Sequence, residues 1–183
     1  MPKKAKTKKW FSIISPNYLG ERELGKVLAS DENSLIGRKI EVSAVELTND
    51  FNKYYLKLKF RIFKIENDRA LTEFDGSECS QDYISRMVLH HVTRVDNVQD
   101  LTTKDGIKIR VKSLTVVARR VSTKIKKTVR KKVGEIIEDF VKNHTLEDFV
   151  KTLLTDEFKN RTLQILKKIH PVRYFEFRKT EIL

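Results

Sequence analysis

Apolar and polar side chains alternate over several short segments of the first 120 residues, which is the period of a half-buried β-strand. The clearest alternation runs from Tyr54 to Asn67 and predicts a strand with one apolar and one basic face. The apolar face holds Leu56, Leu58, Phe60 and Ile62, and the basic face holds Lys57, Lys59 and Arg61. Similar alternation predicts further strands at 36–47 and 107–112. We also expect strands at 69–74 and 172–183 and an extended segment at 92–101.

Residue pairs typical of turns separate several of these strands. The pairs are Asn67-Asp68, Asp75-Gly76 and Asp105-Gly106, and the last of them predicts a β-hairpin. Two stretches lack the alternation. The first contains only a short helical turn at Glu21–Leu28, and the second has the apolar spacing of a short helix over Asp82–Val92.

After residue 118 the apolar period becomes that of an α-helix. The stretch from Ala118 to His144 predicts one long helix, because its apolar residues lie within about 160° of each other on a helical wheel. These residues are Val121, Ile125, Val129, Val133, Ile136, Ile137, Phe140 and Val141. Thr145 and Asp148 have the spacing of a capping box before a second helix. A third helix ends before Pro171.

Strands followed by helices favour an α+β fold with an antiparallel sheet or barrel over an alternating α/β fold. We predict four segments along the chain. They are a basic N-terminal arm at 1–11, a β-rich core with one short helix at 12–120, a helical region at 121–170 and a strand at 171–183 that returns to the core.

The net charge is +13, and the excess is concentrated in two blocks that contain no acidic residue. The arm contributes Lys3, Lys4, Lys6, Lys8 and Lys9. The start of the long helix contributes Arg119, Arg120, Lys124, Lys126, Lys127, Arg130, Lys131 and Lys132. Because a solvated surface would intersperse the signs, two such blocks indicate a polyanionic partner. Nucleic acid is the first candidate, and an anionic membrane surface is the second.

The second block lies where the helix dipole disfavours cations by roughly 0.3 to 1 kcal/mol each. Phosphate oxygens close to these side chains would reverse the sign of that effect, and released counterions would add a salt-dependent gain. A solubilising face would instead carry acids three or four residues from the bases. We therefore predict that the block contacts RNA.

Three other groups have two interpretations each. The lysine arm could bind RNA or be a solubilising tail or localisation signal, and Trp10 and Phe11 could stack on bases or anchor the arm to the sheet. The basic strand faces could form one positive surface, or acids such as Glu41 and Glu46 could neutralise them across strands. These faces consist of Lys57, Lys59, Arg61, Lys108, Arg110 and Lys112.

The sequence predicts no metal site, no cofactor and no catalytic residues. Cys79 and the four histidines, His90, His91, His144 and His170, lack the spacing of zinc ligands, and no phosphate-binding or nucleophile motif occurs. Asp75, Glu78 and Asp82 are better explained as solvated turn residues than as a nuclease site. A single cysteine and the lack of a long apolar run predict a soluble intracellular protein.

Extended blocks along essentially the whole chain resemble a known family. The blocks are KKWFSIISP, LIGRKIEVSAVELTND, ALTEFDG with DYISRMV, TTKDGIKIRV with its basic continuation, and IHPVRYFEFRKTEIL. In this order they resemble the S3Ae family of archaeal and eukaryotic small-ribosomal-subunit proteins. The short arm and the short loop Ser30–Ile36 are similar to archaeal members. Family members commonly continue past the last strand, whereas this sequence ends at Leu183.

The resemblance implies a β-barrel-like core with helical additions and no enzymatic activity. It also implies a place in the cytoplasmic ribosome, on the platform of the small subunit near the mRNA exit and the 3′ end of the rRNA. The expected partners are small-subunit rRNA, neighbouring platform proteins and mRNA near the exit. The rRNA contacts implied are Lys3 to Lys9 and Arg119 to Lys132. The alternatives are an RNA-processing or other RNA-binding protein outside the ribosome, and a peripheral membrane protein.

Overall fold

A computed structural model describes residues 8–183, and the chain divides into two compact units, Met1–Gly76 and Ser77–Leu183. The described residues form eight β-strands and five α-helices. The strands are β1 Lys9–Ile14, β2 Glu23–Ala29, β3 Lys39–Ser43, β4 Leu56–Glu66, β5 Arg69–Cys79, β6 Thr93–Thr102, β7 Lys108–Val117 and β8 Val172–Ile182. The α-helices are α1 Ala44–Thr48, α2 Gln81–Met87, α3 Thr123–Asn143, α4 Leu146–Leu154 and α5 Glu157–Lys167.

The fold is the predicted α+β type, but its eight-stranded sheet is open. The main strand order is β2-β1-β5-β8-β7-β6, and β4 lies off this path between β3 and β5. Among the described strands, β2 and β6 each pair with a single neighbour, so the sheet does not close. The barrel-like core implied by the family resemblance is therefore not confirmed.

In the first unit, β1 runs antiparallel to β2 and parallel to the start of β5. The predicted strand within 54–67 is confirmed as β4, and its four apolar residues are between 0% and 3% exposed. It pairs with β3, where Val42 lies opposite Leu58. A second buried cluster joins β1, β2, β4 and β5, and its members are Phe11, Ile13, Ala29, Leu35, Ile62 and Ala70.

In the second unit, β7 is the middle strand of an antiparallel β6-β7-β8 ladder. Its inner positions are fully buried, and β8 returns to it as predicted. The capping box of Thr145 and Asp148 is confirmed at the start of α4. Buried aromatic rings join the helices to β8, namely Phe149, Phe158, Phe175 and Phe177.

Two expectations for the first unit are wrong because strand pairing outweighs local sequence preference. The arm was expected to extend to Phe11, but Lys9–Phe11 already belongs to β1 and pairs with β2. The helical turn expected at Glu21–Leu28 is replaced by β2 itself. Residues 1–7, which hold Lys3, Lys4 and Lys6, lie outside the described residues.

Three boundaries also differ from the prediction. Ala44 does not continue β3, because the Ser43 hydroxyl accepts from the Val45 N–H and starts α1. The strand expected to end at 74 runs through Gly76 to Cys79. The short helix expected over Asp82–Val92 ends at Met87. The Asn67-Asp68 turn and the hairpin at Gly106 are confirmed, and all three residues have positive φ.

The long helix begins five residues later than predicted. The Ala118 N–H donates to the Pro171 carbonyl at 3.1 Å, and the Val121 N–H donates to the Thr93 hydroxyl at 3.2 Å. These bonds hold 118–122 as a non-helical connection, and Ser122 occupies the N-cap position of α3. Arg119 and Arg120 therefore precede the helix and do not oppose its dipole.

Candidate nucleic-acid interface

The helix α3 has one buried face, which fixes the direction of its cations. Val129, Val133, Ile137 and Val141 are at most 1% exposed and recur every four residues, so they form one stripe along the helix. This stripe packs against the β6 side of the sheet. The side chains on the opposite face must therefore point towards solvent.

Gly134 allows the helix to approach β6 closely. A Cβ atom at this position would lie 2.9 Å from Nε2 of Gln99, which is shorter than normal contact. Beside it, the Asn97 side-chain amide donates to Oε1 of Gln99 at 3.1 Å. Together with two cations, Arg130 and Lys131, and two acids, Glu135 and Glu138, these residues line a polar notch of about 330 Å³ between α3 and β6.

The structure brings the predicted basic block onto one exposed surface. Two of its eight residues, Lys126 and Lys132, are half-buried, and the others are exposed. Only Lys132 has an acidic partner, Glu135, at 3.0 Å. Within residues 8–183, none of the other seven cations forms an ion pair. We call these seven residues the open cations, and they are Arg119, Arg120, Lys124, Lys126, Lys127, Arg130 and Lys131.

One open cation is held in position by the sheet. Nε of Arg130 donates to the backbone carbonyl of Asp96 at 2.9 Å. A guanidinium fixed through one nitrogen still has further N–H groups that can donate to a phosphate. This contact therefore orients Arg130 without neutralising it.

The second half of α3 has the opposite character, because its acids and bases pair along the helix. Lys142 donates to Glu138 at 2.6 Å, one turn away. The hydrogen bond from Lys132 holds the pKa of Glu135 below its usual range. The change from open to paired charge occurs at Lys132, near the middle of the helix.

The predicted basic strand faces are largely neutralised. Each of four of their members contacts an acid on a neighbouring strand: Lys59 with Glu41 at 3.1 Å, Arg61 with Glu73 at 2.8 Å, Arg110 with Asp100 at 2.6 Å and Lys112 with Glu181 at 2.8 Å. Only Lys57 and Lys108 are exposed members without an ion pair in the described part of the chain. Cross-strand neutralisation, including the pair expected for Glu41, is therefore observed.

Glu181 is an acid of the sheet that two lysines contact at once. Lys112 and Lys179 both donate to its carboxylate, at 2.8 and 2.7 Å. The hydrogen bonds from Lys112 and Lys179 lower the pKa of Glu181 to about 2. A carboxylate held in this way stays charged and neutralises its neighbours over the whole physiological pH range.

The two aromatic residues after the arm have different environments. Phe11 is 2% exposed and belongs to the buried cluster of the first unit, whereas Trp10 is 64% exposed. The interpretation of Phe11 as an anchor is confirmed. Among the arm lysines, Lys8 and Lys9 are described and both are exposed.

Two candidate reactive groups of residues 8–183 are buried or paired, namely Cys79 and Asp75. No group of three His, Cys, Asp or Glu residues in this part could hold a metal ion. Burial raises the pKa of the Cys79 thiol to about 12, so the nucleophilic thiolate is suppressed. Asp75 contacts Lys39 at 2.7 Å instead of facing an open site. No described helix is both long and apolar enough to cross a membrane.

The protein is of the α+β class, because it combines an open mixed sheet with α-helices. Its surface is polycationic where α3 carries the open cations. The model of the ribosomal S3Ae family matches residues 2–183, and the chain belongs to this family. The family resemblance of the sequence blocks is thus confirmed. It is a family of structural ribosomal proteins and not of enzymes.

Archaeal relatives agree along nearly the full length. The small ribosomal subunit protein eS1 of Sulfurisphaera tokodaii is 38% identical over 98% of this chain and 93% of that protein. The protein of the same name from Saccharolobus islandicus is 37% identical over 98% of this chain and 86% of its own length. The one from Saccharolobus solfataricus is 34% identical with the same coverage.

Proposed function

We propose that this chain is a structural constituent of the small ribosomal subunit in the cytoplasm and binds rRNA through the open cations. The proposal rests on the difference in ion pairing between the open cations and the cations of the strand faces. Seven neighbouring cations have no acidic partner in the described chain, whereas most cations of the strand faces do. Family membership supports the ribosomal setting.

The mechanism is neutralisation of phosphates by a pre-positioned surface. Burial of the valine-rich stripe fixes α3, so its cations meet RNA without ordering the helix first. Lys124 and Lys126 lie in the first turn, where the helix dipole disfavours cations, and phosphates would offset that repulsion. Contacts of this type position a protein on RNA shape and do not read sequence.

We infer a position within the subunit from the family resemblance of the sequence. We place the chain on the platform, near the mRNA exit and the 3′ end of the small-subunit rRNA. The open cations and the lysine arm face rRNA in this arrangement. The paired second half of α3 and the start of α4, which carry Glu135, Glu138 and Glu147, are available to neighbouring platform proteins.

A charge-reversal pair tests the proposal. Lys127→Glu with Lys131→Glu should weaken binding to small-subunit rRNA, because two phosphate contacts become repulsive. The slope of log affinity against log salt should fall by about two. Thermal unfolding should change little, because both side chains are exposed and unpaired. Filter binding at several salt concentrations measures both quantities.

The matched control is Lys57→Glu with Lys108→Glu, which changes the net charge equally through two exposed strand cations. It should retain most of the rRNA affinity. Equal loss in both variants would show that affinity depends on net charge and not on α3. In sedimentation, the wild-type chain should leave small subunits only at high salt. RNA binding without sedimentation with small subunits would favour a role outside the ribosome.

A further inference from the structure

Trp10 is the most exposed large residue of β1, and the strand itself fixes its direction. The next residue, Phe11, is buried at 2% exposure, and side chains alternate along a strand. Trp10 therefore points away from the core of the first unit while its neighbour holds the backbone in place. An aromatic ring on a fixed backbone loses little conformational entropy when it binds a ligand.

The neighbours of Trp10 on its own face extend the flat surface. Leu28 of β2 lies directly opposite Trp10 and is 39% exposed. Ser12 follows Trp10 on the same face, and Lys26 lies opposite Ser12. The surface thus combines an indole ring, an aliphatic side chain and a nearby cation. We call Trp10, Ser12, Lys26 and Leu28 the tryptophan face.

Charges around the tryptophan face are mainly positive. Lys8 lies two residues before Trp10 and is exposed, and Lys26 has one distant acidic contact within the described residues, Glu23 at 4.0 Å. The acids Asp31 and Glu32 line an open groove with Lys9 and Phe11. Lys9 and Phe11 alternate with Trp10, so this groove belongs to the opposite face of β1. An anionic ligand could therefore approach the indole without meeting these acids.

We propose that Trp10 is a stacking site for an unpaired base of single-stranded RNA, with Lys8 and Lys26 contacting the adjoining phosphates. An aromatic ring beside cations on a strand is the usual arrangement of sequence-tolerant single-strand binding. This inference rests on the proposed function, because it assumes that RNA is the partner. It adds a second contact, of a different chemical kind, to the phosphate contacts of α3.

The only tryptophan of the chain makes the test direct. Titration of the full chain with an oligouridylate of about ten nucleotides, within the usual range of site sizes, should quench its fluorescence. Quenching should saturate together with binding measured by anisotropy of labelled RNA. Saturated binding without any change in fluorescence would overturn the proposal.

Affinity variants provide the second readout. Trp10→Ala should weaken oligouridylate binding by about 5- to 150-fold, the usual contribution of one stacked base. Trp10→Phe should restore most of it. Phe51→Ala is the matched control, because Phe51 is 81% exposed in the same unit and should not affect binding. Since Trp10 is exposed, its variants should unfold at the wild-type temperature.

The two proposals fail in different ways. Unchanged affinity of Trp10→Ala, together with weakened binding of the Lys127→Glu and Lys131→Glu pair, would overturn stacking and leave the proposed function intact. A neighbouring protein would then be the occupant of the tryptophan face. Weakened binding of Trp10→Ala with an unaffected lysine pair would support stacking and contradict the role of α3. No effect in either variant would overturn both.

Discussion

The β6-β7-β8 ladder and the first half of α3 both carry several cations, but only the cations of the ladder have acidic residues opposite them. In the ladder, Arg110 lies opposite Asp100 on one side and Glu181 on the other, which are 10 and 71 residues away along the chain. In the first half of α3, the residues one turn away are themselves basic or uncharged, except that Glu135 lies one turn from Lys131 and Lys132. A sheet can thus recruit acids from distant segments, whereas a helix surface depends on its own local sequence. The cations of α3 consequently remain available to another molecule.

The largest expected effect concerns a buried cation that is paired with a buried acid. Nζ of Lys159 in α5 lies 2.5 Å from Oε2 of Glu176 in β8, and the Tyr83 hydroxyl donates to Oε1 of the same carboxylate at 3.2 Å. Lys159→Met should lower the free energy of unfolding at pH 7 by about 3 to 5 kcal/mol, because it leaves a buried charge without its partner. Urea unfolding measures the loss, and rRNA affinity of the folded variant should not change.

The pH dependence of this variant identifies the cause. Burial raises the pKa of Glu176, and the charge and hydrogen bond of Lys159 oppose that rise. Without Lys159 the folded protein favours the protonated carboxyl more strongly, so the loss should shrink as pH falls towards 4.5. Adding Glu176→Gln should recover part of the stability at pH 7. An equal loss at both pH values would mean that the lost packing of Lys159, and not its charge, is responsible.

A smaller effect is expected where α3 meets the sheet. Gly134→Leu should lower the free energy of unfolding by about 1 to 3 kcal/mol, because the side chain would push the helix away from Gln99. It should also weaken rRNA binding by displacing Arg130, which bonds to the Asp96 carbonyl. Chemical denaturation and filter binding measure the two effects.

Gly134→Ala is the matched control. Its Cβ comes too close only to the end of the flexible Gln99 side chain, at 2.9 Å, and is in ordinary contact with the Asn97 side-chain amide, at 3.5 Å. The helix propensity of alanine, about 1 kcal/mol better than that of glycine, should offset the shift of that side chain. If both substitutions destabilise equally, close approach of the helix is not the reason for glycine here.

The sequence predicted most elements of the fold because their periods are strong. The strand β4, the hairpin at Gly106, the capping box at Thr145 and the return of β8 each depend on local residues or on a clear alternation. The start of α3 was missed because bonds from Ala118 and Val121 to Pro171 and Thr93 decide it. Those partners are distant in the sequence, and a helical wheel contains no information about them.

The sequence predicts which basic residues the candidate surface contains, but not which basic residues of the protein are paired with acids. Eight basic residues without an acid between 119 and 132 are visible in the sequence. That Lys112 would be neutralised by Glu181, 69 residues away, depends on strand register. The different roles of Trp10 and Phe11 also depend on it, because the alternation of β1 decides which ring is buried. The sequence alone does not distinguish two adjacent aromatic residues, because the pairing of the strand in the sheet decides which side chain is buried.

The smallest expected effect concerns the three charged residues Lys112, Lys179 and Glu181 of the ladder. The hydrogen bonds from Lys112 and Lys179 lower the pKa of Glu181 from 4.5 to about 2 in the folded protein. Below pH 4.5 the unfolded chain therefore binds a proton at this position that the folded chain does not. The stabilisation by Glu181 is complete above pH 4.5 and is lost as pH falls towards 2.

Glu181→Gln should therefore slightly lower the unfolding temperature at pH 6 and have no further effect near pH 2, because the pair is partly exposed and screened by solvent. Thermal unfolding by circular dichroism at several pH values measures this difference. The variant also leaves the ammonium groups of Lys112 and Lys179 without this carboxylate partner, so part of the ladder then carries unneutralised cations, as the first half of α3 does. If open cations suffice for RNA binding, affinity should rise slightly in this variant. Unchanged affinity would show that the position of the cations on α3, and not only their lack of partners, determines binding.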